Sequence, residues 1–235
     1  MDNRKHIAMV MAAGEGTRIG GDVPKQFLEL AGRPVLYYSL KVFEDSFLDE
    51  IVVVTNEGME DYCRKEIVEK YGFSKVTRIV AGGRERYDSV YNGLKAMDDA
   101  SGYDYVYIHD GARPFVDVEI LERARQCVLE TNACAAGMPV KDTIKVVDDL
   151  DFVSETPDRR HVWQIQTPQA FSYAVVLDAY DKLYADLDLE GVTDDAMVVE
   201  RTLAHPVKLF CGSYRNFKIT TPEDLDLAEQ MAKFC

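Results

Sequence analysis

A glycine-rich loop that carries two cations follows the first apolar run of the chain. The run begins at Ile7 and leads into the stretch AAGEGTRIGGDVPKQF, which starts at Ala12. The backbone N–H groups of such a loop can surround phosphate oxygens, and Arg18 and Lys25 can neutralise their charge. The alternative interpretation is a strand-to-helix turn whose two cations are only solvated. The stretch is therefore a candidate binding site for a phosphorylated ligand.

The loop fits neither of two common phosphate-binding motifs. A Walker A loop requires GxxxxGK followed by serine or threonine, whereas Asp22 follows the glycine pair here. The dinucleotide fingerprint GxGxxG also fails, because Gly16 is followed by Thr-Arg-Ile and no acidic residue ends the second strand near Asn56. The loop belongs to another class of phosphate site.

A second polar stretch, HDGARP, closes the hydrophobic run YVYIH. Ligands of open α/β sheets bind beyond the carboxyl ends of the strands, which is where Asp110 and Arg113 fall. An aspartate there can hold Mg²⁺ beside a triphosphate, and an arginine can bind an anionic co-substrate. Alternatively, the two side chains form an ion pair that only stabilises a turn. We expect His109 to be packed or hydrogen-bonded rather than to act as a base.

The elements that position these stretches alternate between strand and helix. The β-rich runs are Ile7–Met11, Ile51–Thr55, Thr77–Val80 and Tyr105–His109. Segments with helical periodicity lie around Val35–Phe43, Glu60–Tyr71, Ser89–Met97 and Val118–Glu130. Because this alternation requires crossover helices, it predicts an α/β fold with a mostly parallel sheet between two helical layers. We expect residues 1–235 to form a single domain.

The alternation stops after Ala133. One further strand, ACAAGMPV, is followed by β-rich pieces around an Asp-Asp-Leu-Asp turn, without a helix. This pattern predicts a projecting β-arm at about residues 139–161. Because a two-stranded ribbon is marginally stable alone, a partner subunit is the obvious surface for it to pack on. Helices resume near Ser172, and the last begins at Pro222 with Thr221 as its N-cap.

The bulk composition excludes several functional classes. With 235 residues and 47% hydrophobic content, the chain can bury a sizeable core. A net charge of −14 argues against nucleic acid and anionic membranes as partners. The five cysteines are scattered and lack CxxC spacing, which predicts reduced thiols in a cytoplasmic protein rather than disulfides or zinc. The first apolar run is too short for a signal peptide or a membrane span.

Seven stretches, taken in order, resemble the 2-C-methyl-D-erythritol 4-phosphate cytidylyltransferase family of the non-mevalonate isoprenoid pathway. They are AAGEGTRIGGDVPKQF, GGRERYDSV, HDGARPF, PVKDTIK, TPDRRHVWQIQTPQAF, GVTDD and NFKITTPEDL. The resemblance implies a Rossmann-like nucleotidyltransferase fold with a β-arm exchanged across a homodimer. It also implies transfer of the cytidylyl group of CTP to methylerythritol phosphate, with release of pyrophosphate.

The resemblance further assigns roles to individual residues. The catalytic residues that it implies around the phosphates are Arg18, Lys25 and Lys218. Those implied to bind the nucleotide are Ala12, Ala13, Gly14, Gly16, Gly83, Arg84 and Ser89. Those implied to bind the acceptor are Asp110, Arg113, Thr143, Arg159, Thr167 and Thr193, with Asp110 also near Mg²⁺ and with Thr143 and Arg159 reaching the neighbouring subunit's site. Two departures are that Gly111 replaces the usual alanine of HDAARP and that Arg84 stands where an acidic residue is frequent.

Three other functions are compatible with parts of this pattern. Ribitol-5-phosphate cytidylyltransferases share the CTP half, but PVKDTIK and TPDRRHVW look more like the methylerythritol enzymes. A regulator or scaffold that binds nucleotide without catalysis would be expected to lack Lys25, Lys218 or Asp110, and all three are present. A sugar-1-phosphate nucleotidyltransferase is less consistent with PKQF, since its loop generally continues to KP.

Overall fold

A mixed seven-stranded sheet forms the centre of the structure, a computed structural model that describes residues 4–14, 24–98, 102–186 and 189–233. The strands of this part of the chain are β1 (His6–Ala12), β2 (Glu29–Leu30), β3 (Arg33–Pro34), β4 (Glu50–Thr55), β5 (Val76–Ala81), β6 (Tyr105–Asp110), β7 (Ala133–Pro139), β8 (Val146–Val147), β9 (Val153–Glu155), β10 (Trp163–Ser172) and β11 (Lys208–Cys211). The large sheet has the order β11-β7-β10-β6-β1-β4-β5, whereas β2 with β3 and β8 with β9 form separate two-stranded sheets.

Strand direction confirms the mostly parallel sheet, with one exception. Strands β6, β1, β4 and β5 are mutually parallel, and so are β7 and β11. Strand β10 runs antiparallel to both of its neighbours, β6 and β7. The exception has a simple cause, because the chain returns from β7 through the β-rich arm instead of a crossover helix, and a parallel connection requires such a crossover.

Helices cover both faces of the sheet, as the alternation predicts. They are α1 (Val35–Glu44), α2 (Glu60–Tyr62, which continues as π-helical turns over Cys63–Glu69), α3 (Arg86–Asp98), α4 (Val118–Thr131), α5 (Tyr173–Asp186), α6 (Asp195–Leu203) and α7 (Pro222–Ala232). Strand β1 is buried along its whole length, with Ala8 and Val10 in one core and Ile7 and Met9 in the other. Helices α1 and α4 complete the first core, and α3 and α5 complete the second.

A small third core fixes the loop that precedes α7. Ile219 is fully buried with Leu30 and Ala228, and its N–H donates to the Ala112 carbonyl at 2.9 Å. Thr221 then caps α7 through a capping box with Asp224, which confirms the predicted helix start. The chain that follows Lys218 is therefore anchored to the body of the protein.

The predicted arm is present and projects from the sheet. Strands β8 and β9 pair with each other, and a short 3₁₀ helix, Arg159–His161, precedes β10. Most side chains between residues 141 and 161 are exposed. We refer to residues 139–161 as the arm.

The structure describes four of the five cysteines. Cys63, Cys127, Cys134 and Cys211 are all free thiols. Within the same described ranges, no helix combines the length and the apolar character needed to cross a membrane.

Candidate functional site

Two adjoining cavities open at the carboxyl ends of the central strands. The first has a volume of about 380 Å³, and the second has a volume of about 300 Å³. Arg86, Asp110 and Lys218 line both cavities. We call these three residues the junction. The position of the cavities is the one expected for ligand sites of open α/β sheets.

The first cavity collects most of the residues that the family resemblance assigns to the nucleotide. Those that line it are Ala13, Gly14, Gly83, Arg84 and Ser89, together with Lys25 and Lys218. Ala12 is the buried last residue of β1 and lies behind the cavity wall. Gly16 and Arg18 fall outside the described residues, so their predicted roles stay predictions.

Two amide side chains hold the start of the glycine-rich loop. Nε2 of the buried Gln26 lies within hydrogen-bonding distance of the Ala12 and Gly14 carbonyls, the latter at 3.1 Å. Asn56, which follows β4, donates to the carbonyl between them at 3.0 Å and accepts from Gln26 at 3.2 Å. These contacts fix the backbone beside Lys25. Neither amide stands out in the sequence as a site residue, although Gln26 lies within the quoted PKQF motif.

The loop after β5 contacts the glycine-rich loop closely. A Cβ atom at Gly82 would lie 2.6 Å from Cβ of Ala13 and 2.8 Å from Oγ of Ser89, so only glycine fits there without movement. The Ser89 hydroxyl accepts from the Gly83 N–H at 3.0 Å and donates to the Glu85 carbonyl at 3.0 Å. Ser89 thus lines the cavity and also fixes the backbone of the neighbouring loop.

Asp110 is the centre of the charge arrangement at the junction. Lys218 Nζ and Arg113 Nε lie 3.1 and 3.4 Å from its Oδ2 atom, and Arg86 Nε lies 3.6 Å from Oδ1. Burial raises the pKa of the Asp110 carboxyl, but the charges of Lys218, Arg86 and Arg113 outweigh burial and hold the pKa well below its usual range. The carboxylate therefore stays ionised and keeps three cations close together.

Arg86 connects the junction to α6. Its guanidinium makes a bidentate pair with Asp195, at 2.8 and 2.7 Å, and Asp195 also accepts from the Tyr180 hydroxyl at 2.7 Å. Asp195 is fully buried, and such planar, charge-assisted pairs are among the strongest in proteins. Neither Arg86 nor Asp195 was predicted as a site residue, although they stand in the quoted GGRERYDSV and GVTDD stretches.

The second cavity contains four of the six residues assigned to the acceptor. Arg113, Thr167 and Thr193 line it together with Asp110. The register of β10 shifts between Ile165 and Gln169, and in this irregular segment the Thr167 hydroxyl accepts from the Asp110 N–H at 3.0 Å. This hydrogen bond joins β10 to the end of β6, so the two strands hold Thr167 and Asp110 side by side in the lining of the second cavity.

Two further glutamines tie loops to β10 at the second cavity. Gln169 accepts from the Ala196 N–H and donates to Asp194, both at 2.8 Å, which holds the N-terminus of α6 next to the cavity. Gln166 donates to the Ser213 carbonyl at 2.8 Å and so holds the loop that leads to Lys218. Both residues line the cavity.

His109 is packed and hydrogen-bonded, as expected. Its Nδ1 atom lies 3.1 Å from the Thr167 hydroxyl, and its Nε2 atom lies 3.2 Å from the Arg113 carbonyl. Burial lowers the pKa of His109 to about 4, so the ring is neutral at pH 7. The histidine supports the wall of the site.

Thr143 and Arg159 lie apart from these cavities. Both are exposed on the arm, and neither lines either of the two cavities described above. Arg159 Nη1 donates to the Lys141 carbonyl at 3.3 Å. The role assigned to these two residues requires a second chain and stays a prediction.

Gly111 stands at the position where the family that the sequence resembles usually has alanine. Its N–H donates to the Met11 carbonyl at 2.8 Å. A Cβ atom there would lie 2.8 Å from Cδ1 of Leu36, the flexible end of a side chain. In this chain Leu36 thus occupies the room that an alanine methyl group would need.

Comparison with known proteins agrees with the geometry. A sequence model of the 2-C-methyl-D-erythritol 4-phosphate cytidylyltransferase family matches residues 6–233. The chain belongs to this family. The resemblance stated from the motifs is therefore confirmed.

Relatives and solved structures extend the agreement over nearly the whole chain. The 2-C-methyl-D-erythritol 4-phosphate cytidylyltransferase of Lachnospira eligens is 49% identical over 224 residues, which cover 95% of this chain and 97% of the relative. That of Geobacter metallireducens is 48% identical over 229 residues, or 97% of each chain. The crystal structure of 4-diphosphocytidyl-2C-methyl-D-erythritol synthase from Anaerococcus prevotii has a TM-score of 0.85 at 34% identity, with coverage of 99% of this chain and 97% of that one. The nucleotidyltransferase fold is confirmed.

Asp110→Asn tests the charge arrangement at the junction. We expect the free energy of unfolding at pH 7 to fall by about 3 to 5 kcal/mol, because buried cations lose their counter-charge. Since folding lowers the pKa of Asp110, its contribution is present above the ordinary carboxyl pKa of about 4 and is lost as the pH falls below it. The difference between variant and wild type should therefore shrink on acidification.

Urea unfolding at a series of pH values measures this difference. Asp178→Asn is the control, because Asp178 is an exposed acid on α5, paired with Lys182 at 3.0 Å, whose loss should cost less than about 1 kcal/mol. A difference for Asp110→Asn that does not change with pH would contradict the proposed ionisation.

Proposed function

We propose that the chain transfers the cytidylyl group of CTP to 2-C-methyl-D-erythritol 4-phosphate, giving 4-diphosphocytidyl-2-C-methyl-D-erythritol and pyrophosphate. The observation that carries this proposal is the pair of cavities that share a cationic junction, in a chain of this family. One cavity suits the nucleotide and the other suits the acceptor. Their common wall is where the two phosphate groups would meet.

The cations of the site address the main electrostatic obstacle to this reaction. Two polyanions must approach each other in a protein of net charge −14. Lys25 lines the first cavity, Arg113 lines the second, and Arg86 and Lys218 line both. A local cluster of this kind concentrates anionic ligands despite the opposing field of the whole molecule. Asp110 keeps three of these cations, Arg86, Arg113 and Lys218, together before the substrates bind.

The chemistry needs no general base. The nucleophile is a phosphate oxygen of the acceptor, which is largely ionised at neutral pH. The protein therefore has to align this oxygen opposite the pyrophosphate leaving group and stabilise charge on the α-phosphoryl oxygens. We assign the latter role to Lys25 and Lys218, with Arg18 on the outer phosphates. The neutral, buried His109 has no proton-transfer role in this scheme.

We propose Mg²⁺ as the cofactor, with Asp110 as its protein ligand. Arg86 Nε lies 3.6 Å from Oδ1 of Asp110, beyond hydrogen-bond distance, so this oxygen is suited to a metal. Among the described residues no cluster of three or more His, Cys, Asp or Glu side chains could hold a metal. A single carboxylate fits Mg²⁺, which usually takes one or two together with substrate phosphates and water. When bound, the ion would neutralise phosphate charge.

The arm suggests that the active form is a homodimer. Leu150 and Phe152 at its tip are 75% and 70% exposed, which is unusual for large apolar side chains. Thr143 and Arg159 lie on the same arm, outside both cavities of their own chain. We propose a two-fold dimer in which each arm brings these two residues to the acceptor cavity of the other subunit.

We place the protein in the cytoplasm. The four described cysteines are free, and Cys63 and Cys134 are buried as ordinary core residues. Unpaired thiols of this kind are typical of reducing compartments.

Substrate choice tests the proposed reaction directly. Pyrophosphate release should require both CTP and methylerythritol phosphate, with little release when ATP replaces CTP, because the backbone groups near Gly83 and Ala13 should select the smaller base. Ribitol 5-phosphate should be a poor acceptor. Comparable rates with ATP would contradict the assignment of the nucleotide, and comparable rates with ribitol 5-phosphate would contradict that of the acceptor.

Lys25→Ala should reduce kcat far more than it raises the Kd for CTP. The charge of Lys25 matters most while the α-phosphoryl group is being transferred, and loss of one such group costs about 3 kcal/mol, or roughly a hundredfold in rate. Single-turnover kinetics and CTP titration separate the two effects. Lys65→Ala, on the exposed surface of the helix after β4, is the matched control. An unchanged kcat for Lys25→Ala would assign Lys25 a structural role only.

Mixed dimers test whether each active site is shared between subunits. Lys25→Ala and Arg159→Ala homodimers should both be nearly inactive, because every site lacks one cation. A mixed dimer has one site with both cations, so random reassortment of equal amounts should restore about a quarter of wild-type activity. The variants are unfolded and refolded together, and each is refolded alone as control. No recovery in a sample shown to contain mixed dimers would place Arg159 in its own chain's site or outside the chemistry.

A further inference from the structure

A third cavity lies apart from the two that form the candidate site. It has a volume of about 570 Å³ and is formed by α1 and the loop that leads from the HDGARP stretch to α4. It shares no lining residue with either of the other cavities. Its lining combines three aromatic rings and three cations, namely Tyr37, Tyr38, Phe115, Arg33, Lys41 and Arg215. We call it the α1 cavity.

The α1 cavity is cationic although the chain as a whole is acidic. Arg33 lies over the ring of Tyr37 at 4.3 Å, a cation–π contact that keeps the charge on the cavity wall. Lys41 is paired with Asp45 at 2.7 Å in an exposed, weak ion pair. The acid of the lining, Asp117, is engaged in capping α4 through the Ile120 N–H at 2.7 Å. The cavity thus offers apolar surface together with positive charge.

The tip of the arm, residues 148–152, has the opposite character. Its sequence is Asp-Asp-Leu-Asp-Phe, with three acids and two large apolar side chains. The Asp148 carboxylate accepts from the N–H groups of Leu150 and Phe152 at 2.9 and 3.0 Å, so the turn is already ordered. Asp149 and Asp151 are exposed. A preformed turn loses little conformational entropy when it docks.

We propose that the tip of one arm docks in the α1 cavity of the second subunit. The proposal rests on the arm-exchanged dimer of the preceding subsection, and it adds which surfaces meet. Leu150 and Phe152 would enter against the aromatic rings, while Asp149 and Asp151 face the cations at the rim. Both partners are thereby matched in apolar character and in charge, which favours one docking register over others.

Docking at this cavity also supports the acceptor site. Phe115, in the cavity wall, packs against Phe217 with ring centroids 5.6 Å apart, and Lys218 follows directly in the chain. Arg215, also in the wall, precedes Asn216, whose carbonyl accepts from Arg113 Nη1 at 2.9 Å. A tip seated in the α1 cavity therefore restrains two loops that carry cations of the neighbouring site.

Photocrosslinking identifies the surface that the tip contacts. p-Benzoylphenylalanine replaces Phe152 in ¹⁵N-labelled chain, which is reassorted with unlabelled wild type before irradiation. We expect dimer-sized adducts in which the labelled tip is joined to unlabelled peptides from residues 33–42 or 114–117. The same probe at Tyr62, an exposed residue outside the α1 cavity, is the control and should not label these peptides. Tip adducts that map elsewhere, or only within one chain, would overturn the proposal.

Charge removal at the tip measures its contribution to the dimer. Asp149→Asn with Asp151→Asn should raise the dimer Kd roughly tenfold and weaken its salt dependence, since complementary charges are lost. Asparagine suits position 151, where φ is 63°. Glu57→Gln with Asp61→Asn, two exposed acids elsewhere, is the matched control and should leave the Kd unchanged.

Sedimentation velocity separates the two levels of the proposal. A wild-type protein that sediments as a monomer would contradict the dimer and the docking together. A wild-type dimer whose Kd and salt dependence are unchanged in the tip variant would overturn the docking alone and leave the dimer standing.

Discussion

The site depends on one buried carboxylate that holds three cations together. Without Asp110, the positive groups of Arg86, Arg113 and Lys218 would repel one another within a few ångströms. With it, they form a compact group on the wall that separates the two cavities. Because Asp110 is buried, solvent and salt only weakly screen the attraction between its carboxylate and the three cations. The arrangement is therefore set before any anionic ligand arrives.

Neutral amides complement this charged centre. Gln26, Gln166 and Gln169 each tie a functional loop to the sheet, through contacts to the glycine-rich loop, to residue 213 and to the start of α6. An amide can donate and accept at once, so one side chain satisfies two backbone or side-chain groups. It also adds no net charge, so the loops are fixed without disturbing the field that Asp110 and its cations create. Rigid support of this kind is what positions reacting groups accurately.

Local features of the sequence predicted most of the fold and the outline of the site. Strand and helix periodicity is local, so the strands that carry Asp110 and the glycine-rich loop, and the cap at Thr221, were found correctly. The pairing of Arg86 with Asp195 spans 109 residues, and neither residue is distinctive where it stands in the sequence. The antiparallel direction of β10 likewise depends on how the arm returns, which no local pattern records.

Strand β10 is both the root of the arm and a wall of the acceptor cavity. Ala170 and Phe171 at its inner end face opposite cores, so its register is fixed by burial on both sides. Insertions or deletions in the exposed turn of the arm can therefore accumulate without displacing Thr167 or Gln169. A single inserted residue within the inner half of β10 would instead exchange its two faces. A change in chain length thus leaves the acceptor cavity intact only where it falls outside the inner half of β10, in the part of the arm that burial does not fix.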